Sequence, residues 1–189
     1  MERPYIANMS TTLESLSLHS VHSLRGAVFS TLGGKEIVSH YGDVAKDYAL
    51  LTHGPAMLDL SFRDILRVTG PDAGSFLQGM LTQDVQSLPV GQSAYAAFLT
   101  NKGAMVSDVR VLRLEHEWVL DCEPGFGLAM KTALEKYLIS EEAEIHDGNA
   151  EWAIVRVMSA FPELRHATGH VVMHGAHLAK DKLTGADFW

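Results

Sequence analysis

The residue with the clearest potential for chemistry is Asp108, an acid in the middle of the apolar segment AMVSDVRVLRL. Alternation predicts a strand here, and a carboxylate on an apolar strand face costs free energy unless it is paired or used. Two interpretations stand equally. Either Arg110, two residues on and on the same face, pairs with Asp108, or the acid belongs to a site.

Cys122 is the one cysteine of the chain and ends an apolar segment. A catalytic thiol needs a nearby base to lower its pKa, and no basic residue stands beside this one in sequence. The pattern therefore favours a small buried residue over a nucleophile.

Four histidines near the end of the chain form the only pattern that suggests a metal: His166, His170, His174 and His177. Spacings of four would place three of them on one helix face, as zinc ligands require. Gly169 and Gly175 interrupt that helix, and no carboxylate or cysteine completes the set. We therefore predict no metal site.

Composition narrows the class of protein. The 189 residues include 15 Lys and Arg against 23 Asp and Glu, for a formal charge of −8. This balance argues against general nucleic-acid binding, which needs clustered basic residues. No apolar run is long enough to span a membrane, and a single cysteine indicates a reducing, cytoplasmic location. With 47% hydrophobic residues, the chain has enough apolar side chains for one globular domain.

The predicted elements alternate without a βαβ repeat. Helices are expected at 43–53, with Asp43 as cap and Gly54-Pro55 as stop, from Pro71 through Leu81, and after Gly125. Segments 56–62 and 64–70 alternate like paired strands, and residues 94–121 read as three consecutive strands. Hairpins followed by helices and more strands predict an α+β fold with a mixed, largely antiparallel sheet and packed helices.

The first 32 residues are rich in Ser and Thr and lack both the basic start and the apolar run of a secretory signal. We interpret 1–32 as an N-terminal extension with a short helix, and 33–189 as the domain.

The order of motifs is more specific than any single one. Gly33-Gly34 with HYGD is followed by LDLSFRDILRVTGPDAGSFLQGMLTQDVQSLPVGQSAYAAFLTNKGAMVSDVRVLRL, then by VLDCEPGF and EKYLISEEAEI. Over about 60% of the chain this succession resembles the N-terminal part of the folate-binding proteins related to glycine-cleavage T-protein, an aminomethyltransferase. Within that family the YgfZ type is the more similar.

The resemblance implies a tetrahydrofolate-binding fold with a cavity between antiparallel strands. It implies Asp108 as the catalytic acid and Tyr95, Arg63 and Glu123 as cofactor-binding residues, with Tyr95 stacking on the folate. Where T-proteins carry an Asp-Asp pair, this chain has Ser107-Asp108. A hydroxyl lacks the charge that stabilises a developing cation, which argues against classical aminomethyl transfer.

The YgfZ motif Lys-Gly-Cys-Tyr-x-Gly-Gln-Glu has no match in the chain, which we therefore expect to lack the family's C-terminal half. A truncated gene, a degenerate paralogue and a subunit completed by another chain remain open as explanations. The implied function is a YgfZ-like tetrahydrofolate-binding protein, accessory to one-carbon or iron–sulfur protein metabolism. The alternative is a non-catalytic interaction subunit that docks a partner chain, or a second copy, on the face left by that half.

Overall fold

The computed structural model describes residues 13–53, 56–158, 171–173, 176–181 and 185–188. The elements alternate as the sequence predicts for an α+β fold. The four helices in these residues are α1 His19–Leu24, α2 Val44–His53, α3 Ala73–Met80 and α4 Gly127–Glu135. The strands are β1 Val28–Leu32, β2 Lys35–His40, β3 Ala56–Asp59, β4 Asp64–Thr69, β5 Ser93–Leu99, β6 Met105–Arg113, β7 Glu117–Cys122, β8 Glu144–Asp147, β9 Val155–Met158, β10 Val171–Met173, β11 Ala176–Asp181 and β12 Gly185–Phe188.

The central sheet has five strands in the order β5-β6-β7-β4-β8, and all of its neighbours are antiparallel. The predicted run of three strands is confirmed as β5, β6 and β7. One face of this sheet packs against α3 and α4 through buried residues that include Phe76, Leu77, Met130 and Leu134. The prediction of a largely antiparallel α+β fold is confirmed.

The opposite face of the central sheet meets part of a second sheet, ordered β10-β11-β12-β9-β3. Between the two sheets lies a smaller apolar cluster that includes Leu60, Ile65, Leu112, Val119 and Ile154. Residues on both faces of β6 are therefore buried, as its apolar composition predicts.

The predicted pairing of segments 56–62 and 64–70 is wrong. β3 pairs with β9, whereas β4 pairs with β7 and β8. The chain crosses between the sheets at Leu60, whose N–H donates to Ile154 O at 2.9 Å. Alternation showed that each segment has an apolar face, but the two faces pack in different places: Leu58 of β3 against the inter-sheet cluster, and Leu66 and Val68 of β4 in the cluster beside α3 and α4.

The other local predictions concern helix ends. α2 begins where expected, and Asp43 Oδ1 accepts the Lys46 N–H at 3.1 Å; Gly54 and Pro55 lie outside the described residues. α3 begins after Asp72, but the Asp72 carboxylate accepts the Glu142 N–H at 2.9 Å and makes no cap bond to its own helix. The predicted short leading helix corresponds to α1, and β1 then pairs with β2 across Gly33-Gly34.

A buried ionic contact joins the β1–β2 hairpin to the central sheet. Lys35 Nζ lies 2.6 Å from Asp64 Oδ1 and 2.9 Å from Glu14 Oε2, and the Lys35 and Asp64 side chains are both buried. Asp64 Oδ2 also accepts the N–H of Gly127 at 2.8 Å, at the first residue of α4. One carboxylate thus links the hairpin, β4 and a helix start, where negative charge is favourable.

Among the described residues, no helix is long and apolar enough to cross a membrane.

Gly127→Ala should destabilise the fold by about 2 kcal/mol, because the new Cβ would stand 2.7 Å from Asp64 Cβ and disturb the helix start. Urea denaturation followed by circular dichroism measures the loss. The matched control is Gly79→Ala in α3, where a Cβ meets nothing within 4 Å and the higher helix propensity of alanine should stabilise. Equal effects of the two substitutions would contradict the proposed close contact.

Lys35→Met should lower the free energy of unfolding by about 3 kcal/mol, since it leaves the buried Asp64 carboxylate without its cation. Burial lowers the pKa of Lys35, but the hydrogen bonds and charges of Asp64 and Glu14 outweigh it and raise the pKa above its usual 10.5. The stabilisation is therefore complete below pH 10.5 and is lost as pH rises through the raised pKa. Denaturation of Lys35→Met and of the exposed Lys102→Met, across pH 7 to alkaline buffer, separates this pair from a general loss of charge.

Candidate functional site

Three of the four predicted site residues meet at one end of the central sheet. Asp108 lies at the centre, with Tyr95 Oη donating to its Oδ2 at 2.7 Å and Arg63 Nη2 donating to its Oδ1 at 3.2 Å. The Asp108 carboxylate therefore uses both oxygens within the protein. The sequence offered Arg110 as a possible partner of Asp108, and the structure shows a further one in Arg63, 45 positions earlier in the chain.

Strand register brings these side chains together. Asp108 and Arg110 lie on one face of β6, where Tyr95 of β5 stands opposite Arg110. Asp121 of β7 stands opposite Arg110 on the other side. Arg63 immediately precedes β4, so its side chain approaches the same face from the next strand over. The group formed by Arg63, Tyr95, Asp108 and Asp121 is called here the Asp108 cluster.

Asp121 is the member that the sequence analysis missed. Its side chain is 1% exposed, and its Oδ1 accepts a hydrogen bond from Arg63 Nε. The signal was available: Asp121 alternates with Val119 in EWVLDC, so it is an acid on an apolar strand face, like Asp108. The criterion of an acid on an apolar strand face therefore identifies Asp121 as well as Asp108.

The electrostatics of the cluster follow from its contacts. Burial lowers the pKa of Arg63, but Asp121 and Asp108 outweigh it and raise the pKa above the usual value, so the guanidinium stays charged. The hydrogen bond to Asp108 raises the pKa of Tyr95, with burial adding to it. Tyr95 is therefore a neutral donor at physiological pH, and half of its side chain is exposed to solvent.

Glu123 lies beside the cluster without joining it. Its backbone N–H donates to Ser107 Oγ at 3.2 Å, and its carboxylate makes no hydrogen bond or ion pair with the cluster among the described residues. Ser107 is fully buried, and its hydroxyl also donates to the carbonyl oxygen of Asp108. The Ser107 hydroxyl is thus engaged by the backbone of β6 and β7 and is not exposed beside Asp108.

The remaining candidates carry no site in the described residues. Cys122 is buried with Sγ 3.3 Å from Met130 Sδ, and burial raises the pKa of its thiol, which confirms a structural cysteine. No cluster of three metal-ligating side chains occurs in the part of the chain that the structure describes. Of the four histidines, His166, His170 and His174 lie outside it, and His177 lies in β11.

Two open clefts share Gly70 and Pro71 in their walls. They lie at the opposite end of β4 from Arg63, so neither includes the Asp108 cluster. We prefer the cluster as the candidate site, because the clefts lack a comparable set of buried charges and an exposed aromatic ring.

The Asp108 cluster combines an exposed aromatic ring with a carboxylate and a guanidinium. The ring of Tyr95 can stack on a flat heterocycle, and the charged groups can hydrogen-bond to amide-like edges. These features suit a polar aromatic ligand.

Comparison with known proteins places this chain in a family. Residues 18–160 match the family model described as the GCVT N-terminal domain. An aminomethyltransferase from Corynebacterium jeikeium is 31% identical over 148 residues, which are 78% of this chain and 38% of that protein. A probable aminomethyltransferase from Halobacterium salinarum is 31% identical over 106 residues, or 56% of this chain and 29% of that protein.

The fold comparison agrees. The crystal structure of glycine cleavage system aminomethyltransferase T from Bartonella henselae superposes with a TM-score of 0.80 at 21% identity, covering 94% of this chain and 53% of that one. The chain thus spans about a third to a half of the length of these relatives. On the family match, this chain belongs to the glycine-cleavage T-protein family, of which it carries the N-terminal GCVT domain.

Proposed function

We propose that this chain binds tetrahydrofolate or a one-carbon derivative at the Asp108 cluster. The observation that carries the proposal is the half-exposed ring of Tyr95, whose hydroxyl donates to Asp108 at the partly exposed side of a charged network. An aromatic side chain fixed at its polar end keeps its face available for stacking at little cost in conformational entropy. Membership of the T-protein family supports a folate as the heterocycle.

Each residue has a distinct proposed role. Tyr95 stacks on the pterin or aminobenzoyl ring, and Asp108 and Arg63 bind its polar edge. Glu123, which follows β7 beside the cluster, contacts the ligand from the rim. A bound folate supplies the nitrogen atoms that carry a one-carbon unit, and the protein groups orient it.

Classical aminomethyl transfer is not the activity that we propose. The serine that takes the place of the first acid, Ser107, is fully buried and hydrogen-bonded to backbone groups. We propose instead a YgfZ-like cytoplasmic role accessory to one-carbon or iron–sulfur protein metabolism, in which folate binding is kept and transfer is weak or lost.

Titration calorimetry with tetrahydrofolate and 5-formyltetrahydrofolate tests the proposal. We expect micromolar affinity, weakened about tenfold by Tyr95→Ala through loss of stacking, and similarly by Asp108→Asn. Tyr95→Phe should lose less than Tyr95→Ala, since it keeps the ring. Tyr137→Ala is the matched control, because Tyr137 is 47% exposed against 49% for Tyr95 but lies after α4. No heat at ligand concentrations near about 1 mM, a binding free energy of about −4 kcal/mol, would contradict folate binding.

A second candidate, the non-catalytic interaction subunit, is favoured by one feature of α2. Every residue of this helix is at least partly exposed, and Val44 and Tyr48, one turn apart, are 62% and 67% exposed. Met57 on the neighbouring β3 is also exposed. Exposed apolar side chains grouped in this way are typical of an interaction surface.

If α2 is that surface and a second copy occupies it, light scattering should give a concentration-dependent dimer that Tyr48→Glu abolishes. Leu128→Glu is the control, because Leu128 is 72% exposed on α4, away from α2. A monomer at every concentration would argue against self-association.

A further inference from the structure

Within the Asp108 cluster, the protein itself supplies the positive charge that pairs with Asp108. The guanidinium of Arg63 lies between two carboxylates, with Nε donating to Asp121 and Nη2 to Asp108 at 3.2 Å. Its side chain is 18% exposed, against 19% for Asp108 and 1% for Asp121. Arg63 is thus held by the fully buried carboxylate of Asp121 and also contacts the partly exposed carboxylate of Asp108.

We infer that Arg63 is the fixed counter-cation of Asp108 and makes the site select folates whose one-carbon group is uncharged over those that carry a positive charge there. This inference rests on the proposed function, since it concerns which ligand the same site accepts. It is a statement about specificity and assigns no bond-making step.

The argument begins with the competition that a cationic ligand would meet. A ligand cation that bound Asp108 directly would compete with Arg63 for the same carboxylate, and displacing Arg63 would leave the guanidinium beside the buried Asp121 with one carboxylate fewer. Charged groups taken from water must keep their partners, so this displacement is unfavourable. Both oxygens of Asp108 also already accept a hydrogen bond, one from Arg63 and one from Tyr95.

The charges of neighbouring residues also disfavour the binding of a cationic ligand. Arg110 lies opposite both Tyr95 and Asp121 in the strand register and is buried. Among the described residues of these strands, Arg63 and Arg110 stand against Asp108 and Asp121, so the charges of these four side chains are equal in number. A ligand cation would add unbalanced positive charge beside two guanidinium groups, and like charges at close range disfavour binding.

An uncharged ligand with a carbonyl oxygen can instead bind without competing for Asp108. A guanidinium has N–H donors on three nitrogens, and the two carboxylates engage Nε and Nη2. Nη1 has no hydrogen bond among the described residues, so an oxygen acceptor can use it without breaking a contact. A formyl or amide oxygen fits this donor; an ammonium or amidinium group does not.

The binding test compares two folates of the same skeleton. 5-Formyltetrahydrofolate carries its one-carbon unit as a neutral amide, whereas 5,10-methenyltetrahydrofolate carries it as an amidinium cation. In mildly acidic buffer, where the cation persists, we expect the wild-type protein to prefer the neutral ligand by about tenfold or more. Arg63→Met should remove this preference, and Arg63→Lys, which keeps the charge, should retain most of it.

Arg67→Met is the matched control. Arg67 lies on β4, the strand that Arg63 immediately precedes, and also bridges two carboxylates, Glu117 at 2.7 Å and Glu151 at 2.5 Å, but at the other end of the sheet. Its replacement should leave the ligand preference unchanged. A wild-type preference for the cation, or a preference that Arg63→Met leaves intact, would overturn the inference.

A ligand-free measurement separates this inference from the proposed function. NMR of protein labelled with [ζ-13C]tyrosine, with Tyr95→Phe to assign the signal, reports the titration of the Tyr95 phenol. Arg63→Met should raise the pKa of Tyr95 further, because the phenolate would then face Asp108 without the compensating cation. Asp108→Asn should lower it, which also provides a test if Arg63→Met fails to fold.

The outcomes are distinguishable. If neither folate binds but Tyr95 titrates as expected, the proposed function fails while Arg63 is established as the counter-cation, and selection among folates is refuted with it. If folates bind but the Tyr95 pKa is the same in wild type, Arg63→Met and Asp108→Asn, folate binding holds and the role of Arg63 is overturned.

Discussion

The buried carboxylate of Asp64 is the contact on which the described structure depends. It pairs with Lys35 from the β1–β2 hairpin and accepts the first N–H of α4 at Gly127. Its own backbone lies opposite Cys122 in the central sheet. An unpaired carboxylate at this depth would be costly, so the hairpin, the sheet and the helix have to assemble together. Because Arg63 precedes Asp64, the same contact fixes the point from which Arg63 reaches Asp121 and Asp108.

Asp64 and Asp108 are both paired carboxylates, but one is buried in the fold and the other is partly exposed. The side chain of Asp64 is 7% exposed, and its partners are a lysine and a backbone N–H inside the fold. Asp108 is 19% exposed and lies beside the half-exposed ring of Tyr95. Both satisfy the requirement that a buried charge be paired, but only Asp108 stands where a ligand can approach. An acid within a strand is therefore not enough to identify a site. What distinguishes Asp108 from Asp64 is that its carboxylate is accessible to a ligand from solvent.

The sequence predicted those features that depend on near neighbours. β5, β6 and β7 follow one another through short connections, so alternation and turn residues suffice to predict them. The partners of Asp108 and of β4 depend on register between distant segments. Sequence spacing left open whether Asp108 pairs with Arg110 or belongs to a site, and it offered no sign of Arg63, which the structure shows as a partner of Asp108. The structure also pairs β4 with β7 and β8 instead of β3. Asp72 is a further example of a contact between distant segments, since its carboxylate accepts the N–H of Glu142, 70 positions later, and makes no bond to its own helix.

In this chain, different residues build the central sheet and charge its Asp108 end. Apolar positions on both faces of β6 bury it between two apolar clusters, and the overall fold is similar to that of an aminomethyltransferase at 21% identity. The charges at the end of that sheet are set by a few side chains that the core does not constrain. The Ser107 hydroxyl is hydrogen-bonded to backbone groups, and the Arg63 guanidinium pairs with both Asp108 and Asp121. A shared fold therefore does not by itself fix what a site binds, and the charge at this site has to be derived from this chain's own side chains.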